Sequence, residues 1–405
     1  MKRIFISLFF FAFMWTAAGA DASPELLFVR WPANPDAVWY SFRIVPVTQH
    51  FGRKEMRPPI YEDGHVFRDS VMIEKEITDS YDGPGILCCQ VKAIGLDGQS
   101  ISAYSAPVPM EKAAQEMERY APKIRVKYHE QNGTVLLYPA YSFVKIPHAV
   151  SYEVEITDEE PENPDGCEPS VHRISQGIVT IPELFDELPR QGTVWWRVRG
   201  LDEDGGPVGV WSEAEKIVND PAENWETGIL GDSISHGGGR MSYSPADWPY
   251  NYAYYLDFPT INMSRSGDKT EDLLRRFDAD VLPFHVQYLL IMGGTNNLRS
   301  GETAEEVIAD LEALQEKCRS GGIEPVLLTI PPIAPERILK YYHQPTAENW
   351  KAEFDKVNGW IRTQTHIDTA APFAMYEDMP ENLAADGLHP DKEAKEKMGK
   401  IINEK

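Results

Sequence analysis

The chain has 405 residues, with 39 Lys+Arg against 63 Asp+Glu and a formal net charge of −24. A hydrophobic share of 42% with 25% charged residues is the balance of a folded protein, and the length exceeds one ordinary domain. The acidic excess argues against a nucleic-acid partner, which needs a basic footprint, and against anionic lipid surfaces. Four cysteines in so long a chain exclude a disulfide scaffold.

Met1-Lys2-Arg3 is basic, Ile4 to Ala17 is almost wholly apolar, and Ala18-Gly19-Ala20 has small-x-small spacing. This predicts a signal peptide over 1–20, cleaved after Ala20, because the apolar run is too short for a stable anchor. A secreted or periplasmic protein is expected, with no membrane anchor after cleavage. Export permits disulfides without requiring them. Cys88 and Cys89 are neighbours in a strand-like run, Cys167 lies in a Pro/Gly/Asp-rich loop, and Cys318 continues an apolar helix face. Nothing in these positions pairs any two, so buried or idle thiols are expected.

From 24 to 218 the apolar period is two. Val38, Tyr40, Phe42 and Ile44 alternate with Trp39, Ser41 and Arg43, and Val150, Tyr152, Val154 and Ile156 repeat the pattern. Leu87, Cys89, Val91 and Ala93 are matched by Val194, Trp196 and Val198. Such runs, broken by Gly, Pro and Asp, are half-buried antiparallel strands. Ala37-Val38-Trp39-Tyr40 recurs as Ala149-Val150-Ser151-Tyr152, and Tyr104-Ser105 as Trp211-Ser212. A repeat of roughly 110 residues is the size of one β-sandwich. The A-x-x-Y strand, the strand trailing into Asp-Gly and the closing aromatic-Ser resemble fibronectin type III domains. The resemblance implies two all-β sandwiches, over 21–110 and 121–218, joined by a charged, helix-compatible connector over 111–120. A sandwich supplies stability and spacing rather than chemistry, so the modules are read as spacers or as a platform docking on a glycan, a cell surface or the next domain.

After Glu226 the pattern changes to strand–helix units over 224–405. Gly228-Ile229-Leu230, Thr260-Ile261-Asn262, Tyr288–Met292, Val326–Thr329 and His366-Ile367-Asp368 are the predicted strands. Continuous apolar runs of this kind suit a parallel sheet covered on both faces. Val307, Leu311, Leu314 and Cys318 share one helix face, with Thr303 and Glu306 as a capping box. Trp350, Phe354, Val357 and Ile361 mark the next helix, and a last helix over 391–403 follows Pro390, which suits a first turn. The result is a three-layer α/β domain, whose ligands bind beyond the carboxyl ends of the strands.

The loops at those ends read Gly231-Asp232-Ser233-Ile234-Ser235, Ser266-Gly267-Asp268 and Gly293-Gly294-Thr295-Asn296-Asn297. A fourth, before the last helix, reads Asp386-Gly387-Leu388-His389-Pro390. Acyl transfer needs a nucleophile, a base, an orienter for the base and donors for an oxyanion. Ser233, His389 and Asp386 can fill the first three roles. The N–H groups of Ser233 and Gly267 and the amide of Asn296 can supply the oxyanion hole, and glycine at 267 lets the backbone approach the substrate.

These four blocks, in this order, resemble the GDSL/SGNH hydrolase superfamily. The resemblance implies a flavodoxin-like five-stranded fold and ester hydrolysis through an acyl-enzyme, with no metal or organic cofactor. It makes Ser233, Asp386 and His389 catalytic, and Ser233, Gly267 and Asn296 the oxyanion donors. The family usually has Asp after the block-three Asn, whereas this chain has Asn297, a position that supports the loop. Ser235 is read as a structural hydroxyl and Asp368 as a loop-holding carboxylate. Of the candidate pocket residues, His236 is read as a pocket-wall or solvent residue instead of a second base, and Gly237-Gly238-Gly239-Arg240 as a flexible loop, with Arg240 binding an anionic substrate group as the alternative. Trp248, with Tyr250 and Tyr252, either lines a sugar or acyl pocket or packs a core.

The expectation is an exported serine esterase removing small acyl groups, above all acetyl, from a small-molecule or polysaccharide ester, a carbohydrate before others. A lipid or thioester acylhydrolase is the enzymatic alternative. A glycan-binding or adhesion protein with an inert hydrolase-like domain is the alternative of another class.

Overall fold

The computed structural model describes residues 25–404 apart from 35, 51–52, 126–133, 224 and 239–243. The expected signal peptide and Arg240 therefore lie outside the described residues. Among the described residues no helix is long and apolar enough to cross a membrane.

Residues 25–120 build two antiparallel sheets. One has the order Ser70–Glu74, Leu26–Arg30, Ala114–Met117; the other is built on Trp39–His50 and Ile86–Ile94. Alternation decides which side chains meet between them. Leu27 and Val29 from the first sheet, with Trp31 just past its strand, pack with Tyr40, Phe42, Ile44 and Cys89 from the second in one buried cluster. The stretch 111–120, expected to be a connector, is different. Only Met110–Ala113 is helical, and Ala114–Met117 pairs with Leu26–Val29 as an edge strand of the first module.

The second unit repeats the scheme. Glu183–Phe185, Ala140–Val144 and Lys123–Ile124 form one antiparallel sheet; Ser151–Thr157 and Gly192–Leu201 centre the other. Tyr141, Phe143, Tyr152, Val154, Trp196 and Val198 fill its core.

In the C-terminal domain the sheet is fully parallel, with the strand order Val135–Leu136, Thr260–Asn262, Thr227–Gly231, Tyr288–Met292, Glu324–Leu328, His366–Ile367. Its five own strands run in the flavodoxin-like order 2-1-3-4-5. The sixth is a correction to the five-stranded expectation: Val135 pairs with Ile261 and Leu136 with Asn262, so a piece of the second β unit completes the edge. Covering that edge satisfies backbone groups that would otherwise face solvent. Helices Thr270–Asp280, Ala304–Ser320 and Trp350–Ile361 bury Leu273, Phe277, Val307, Leu311, Phe354 and Val357 in one core. Tyr252, Phe373, Met398 and Ile402 belong to a second core around the last helix. The Thr303–Glu306 capping box is formed in both directions. The last helix begins at Lys392, with Asp391 as its N-cap, so Pro390 precedes the cap instead of occupying the first turn.

The four cysteines are free thiols, and burial pushes Cys89 up to about 11 and Cys318 up to about 12.

The spacer reading of the β units does not hold. The second unit's core cluster also contains Leu26 and Met72 of the first unit and Ala246 and Trp248 of the α/β domain. Val135, Leu137 and Tyr138 belong to the α/β core. The units are fused through shared apolar surface.

Candidate active site

The strand Thr227–Gly231 ends in a turn with no room for another side chain at its last residue. A Cβ on Gly231 would sit 2.6 Å from both the Met292 carbonyl oxygen and Ser235 Oγ. Asp232 then caps a single helical turn, Ser233–His236, its Oδ1 accepting from Ile234 N–H at 2.9 Å. Its Oδ2 has no hydrogen-bond partner among the described residues, and burial raises its pKa to about 6. The turn sits where strand order reverses, the usual ligand position in open α/β sheets.

Ser233 Oγ lies 2.9 Å from His389 Nε2, and His389 Nδ1 lies 2.7 Å from Asp386 Oδ2. All three residues are buried. Asp386 also fixes its own turn: Oδ1 accepts from the N–H groups of Leu388 and His389, each at 2.8 Å. A residue without any sequence signal joins them. Tyr342, at the end of the helix Pro335–Tyr342, donates to Asp386 Oδ2 at 2.7 Å, and its hydroxyl is 3.1 Å from His389 Nδ1. An Asp bound this way can hold one imidazole tautomer, leaving Nε2 to accept a proton from the serine.

Gly267 and Asn296 line the same cleft as Ser233 and His389, a space of about 260 Å³. Gly267 has φ +92°, a conformation that disfavours any side chain. Asn296 Nδ2 donates to the Asp268 carbonyl at 2.9 Å, which orients the amide. Beside it, Asn297 is buried and ties the loop down through Thr270 N–H, Glu271 and Glu302.

The candidate pocket residues separate. His236 lines the cleft, but fully buried; desolvation lowers its pKa to about 4. Trp248 does not line it. It borders a second cavity of about 860 Å³ with Trp31, Arg68 and Asp247, where the first β unit meets the α/β domain. Tyr252 packs in a core and donates to Ser235 Oγ at 2.9 Å, which gives Ser235 a structural partner. Asp368 accepts from Thr329 and Arg362 and holds its loop. Phe185, Asp186 and Glu187 of the second β unit form a wall of the Ser233 cleft that the sequence does not announce. Among the described residues no group of three or more His, Cys, Asp and Glu could hold a metal ion.

Residues 229–397 match the model of the GDSL-like Lipase/Acylhydrolase family. Thioesterase 1/protease 1/lysophospholipase L1 of Escherichia coli is 29% identical over 171 residues, 41% of this chain and 76% of that protein. Among solved structures, a GDSL-like lipase from Bacteroides thetaiotaomicron aligns at a TM-score of 0.38 and 16% identity over 45% of this chain and 88% of its own. A lipase/acylhydrolase from Enterococcus faecalis aligns at 0.36 and 25% identity over 44% and 94%. Residues 229–397 are thus a GDSL-like lipase/acylhydrolase domain, and the protein is an ester-hydrolysing enzyme.

Proposed function

We propose that the enzyme is an exported serine esterase that removes short acyl groups, acetyl above all, from hydroxyls of a carbohydrate. The observation that carries the chemistry is the unbroken chain Ser233 Oγ, His389 Nε2, His389 Nδ1, Asp386 Oδ2, at 2.9 and 2.7 Å across its two contacts. Ser233 Oγ attacks the ester carbonyl while His389 Nε2 takes its proton. Asp386 holds the Nδ1–H and stabilises the imidazolium. The carbonyl oxygen becomes an oxyanion facing the N–H groups of Ser233 and Gly267 and the amide of Asn296. Collapse of this intermediate breaks the C–O bond, and His389 returns the proton to the departing alcohol. Water, deprotonated by the same imidazole, then releases the acid and restores Ser233.

Cleft size supports a short acyl chain. About 260 Å³ falls below the roughly 300–1,000 Å³ of pockets that enclose drug-sized ligands. The expected export signal, and two β units that resemble fibronectin type III modules, support an extracellular glycan as the acyl bearer. The name of the Escherichia coli relative favours the second reading, a lipid or thioester acylhydrolase.

The test is hydrolysis of aryl esters of graded chain length. Ser233→Ala is expected to lower turnover of p-nitrophenyl acetate by about 10⁴-fold or more. Unchanged turnover discards the mechanism. A profile peaking at long acyl chains or acyl thioesters discards the short-acyl reading in favour of the second.

A further inference from the structure

Tyr138 belongs to the second β unit, between the strands Val135–Leu136 and Ala140–Val144, yet its carbonyl oxygen meets His236, which lines the Ser233 cleft, and its hydroxyl meets Asp280 of the hydrolase domain. Its carbonyl oxygen lies 2.7 Å from His236 Nε2, and its hydroxyl donates to Asp280 Oδ2 at 2.6 Å.

The carbonyl arm determines a tautomer. A carbonyl only accepts, so His236 Nε2 carries the proton. The buried ring is neutral, and its Nδ1 is therefore an acceptor. Ser266 Oγ lies 2.9 Å from that Nδ1 and 3.0 Å from the Gly238 carbonyl, so one hydroxyl proton is shared between two acceptors. Ser266 supplies the carbonyl half of the peptide group whose other half is the Gly267 N–H.

The hydroxyl arm runs through charges. Asp280 Oδ2 accepts from Arg276 Nη1 at 2.9 Å, and Arg276 Nε donates to Asp268 Oδ2 at 2.6 Å. Arg276 Nη1 also donates to the Met263 carbonyl at 2.5 Å. The Asp268 carbonyl accepts from Asn296 Nδ2 at 2.9 Å. The segment 263–268 is thus held from both sides, one grip ending beside Gly267 N–H and the other on the Asn296 amide.

We propose that Tyr138 is a positioning residue for the oxyanion hole, supplied by the β unit, so that the catalytic centre is completed by a module outside the hydrolase domain. This rests on the oxyanion roles given to Gly267 and Asn296 above. Donors aimed in advance at the developing charge act only when held in place, and a shift of about 1 Å can cost about a hundredfold in rate.

Tyr138→Phe removes one hydroxyl and keeps the ring, while Asp280 keeps Arg276. Its kcat on p-nitrophenyl acetate is expected to fall about tenfold or more, with KM within about twofold. Affinity for an aryl boronic acid, which forms a tetrahedral anion on Ser233, is expected to fall in parallel. His236→Asn cuts the carbonyl arm and leaves Tyr138 in place, and the same two losses are expected; this second variant serves if Tyr138→Phe does not fold. Asn296→Ala, measured alongside, is expected to lose about 10²–10³-fold in kcat. If Asn296→Ala is unaffected, the oxyanion reading itself falls. If it is impaired while either folded arm variant keeps wild-type kcat and boronate affinity, whatever happens to its melting temperature, only the proposal for Tyr138 is overturned.

Discussion

The amide of Asn297 does what a carboxylate could not do at its position. Its Oδ1 accepts from Thr270 N–H at 3.1 Å, and its Nδ2 faces Thr270 Oγ1 at 3.1 Å and the carboxylates of Glu271 and Glu302 at 2.9 and 2.6 Å. A donor between two acids is favourable, whereas a third acid there is repelled by both. The departure from the Asp usual in GDSL/SGNH hydrolases therefore has a local cause: Glu271 and Glu302 stand where they demand an N–H. Asn297→Asp is expected to destabilise the fold by about 1–3 kcal/mol, the range for a buried polar group left without its partner. Urea midpoints at pH 7 check this, and a wild-type midpoint contradicts it. Neighbouring Asn296, by contrast, keeps one amide N–H committed to the Asp268 carbonyl and lines the cleft. Two adjacent asparagines are thus separated by their partners into a loop anchor and a candidate donor.

At the scale of elements, the strand Val135–Leu136 has consequences beyond its two residues. Leu137, which follows it, donates to the Asn262 carbonyl at 2.8 Å and is wholly buried in the α/β core. Leu137→Ala is expected to cost about 2–5 kcal/mol, the range for opening a cavity in a packed core. Because this leucine lies on β-unit chain but in hydrolase core, the β-sheet signal and esterase activity are expected to vanish in one transition during urea titration. Loss of activity well before the β signal would contradict the shared core. This strand marks where the sequence stops being legible. Continuous apolar runs such as Tyr288–Met292 announce parallel strands, and the loops after them hold Ser233, Gly267 and Asn296 at the strand ends. A two-residue strand has no measurable period, and its pairing partner lies 126 positions away by register, Val135 to Ile261. Tyr342 and Phe185 were equally silent, since a tyrosine in a helix and a phenylalanine in a strand read as ordinary core. The aromatic run at Trp248–Tyr252 is visible but open in meaning; Trp248 packs with the β units, Tyr252 packs in the core around the last helix, and neither lines the Ser233 cleft.

Over the whole molecule, a network of ion pairs ties the three units at one junction. Arg68 of the first unit lies 3.0 Å from Asp247 of the hydrolase domain, and Arg125 of the second reaches Asp247 at 3.5 Å and Asp69 of the first at 3.2 Å. The side chains of Arg68 and Asp247 are 9% and 18% exposed, so solvent screens this pair weakly. Such a pair is worth little against an apolar replacement, but losing one partner strands the other charge, at a cost of about 3–5 kcal/mol. Asp247→Ala is therefore expected to lower stability by that order at neutral pH. The pH dependence follows from the same charges. Burial pushes the Asp247 carboxyl up, but Arg68 and Arg125 overcome it and hold it below the ordinary 3.8. A depressed carboxylate contributes stability that is complete above its unfolded value and is lost as pH falls through its folded one. Glu183, buried at the same junction, acts in the opposite sense. Desolvation raises its pKa above 4.5, so the folded state binds its proton more tightly and loses stability as pH rises through that window. Asp247→Ala leaves Glu183 in place but removes a charge that helps to raise it, so the difference between wild type and variant reports Asp247 together with that coupling. That difference is expected to be full at pH 6–7 and to close as acidification passes below 3.8. Denaturant midpoints of the two proteins across pH 7 to 3 measure it. A gap that stays constant over that range would mean that the junction is held by apolar packing alone, with Asp247 contributing no charge.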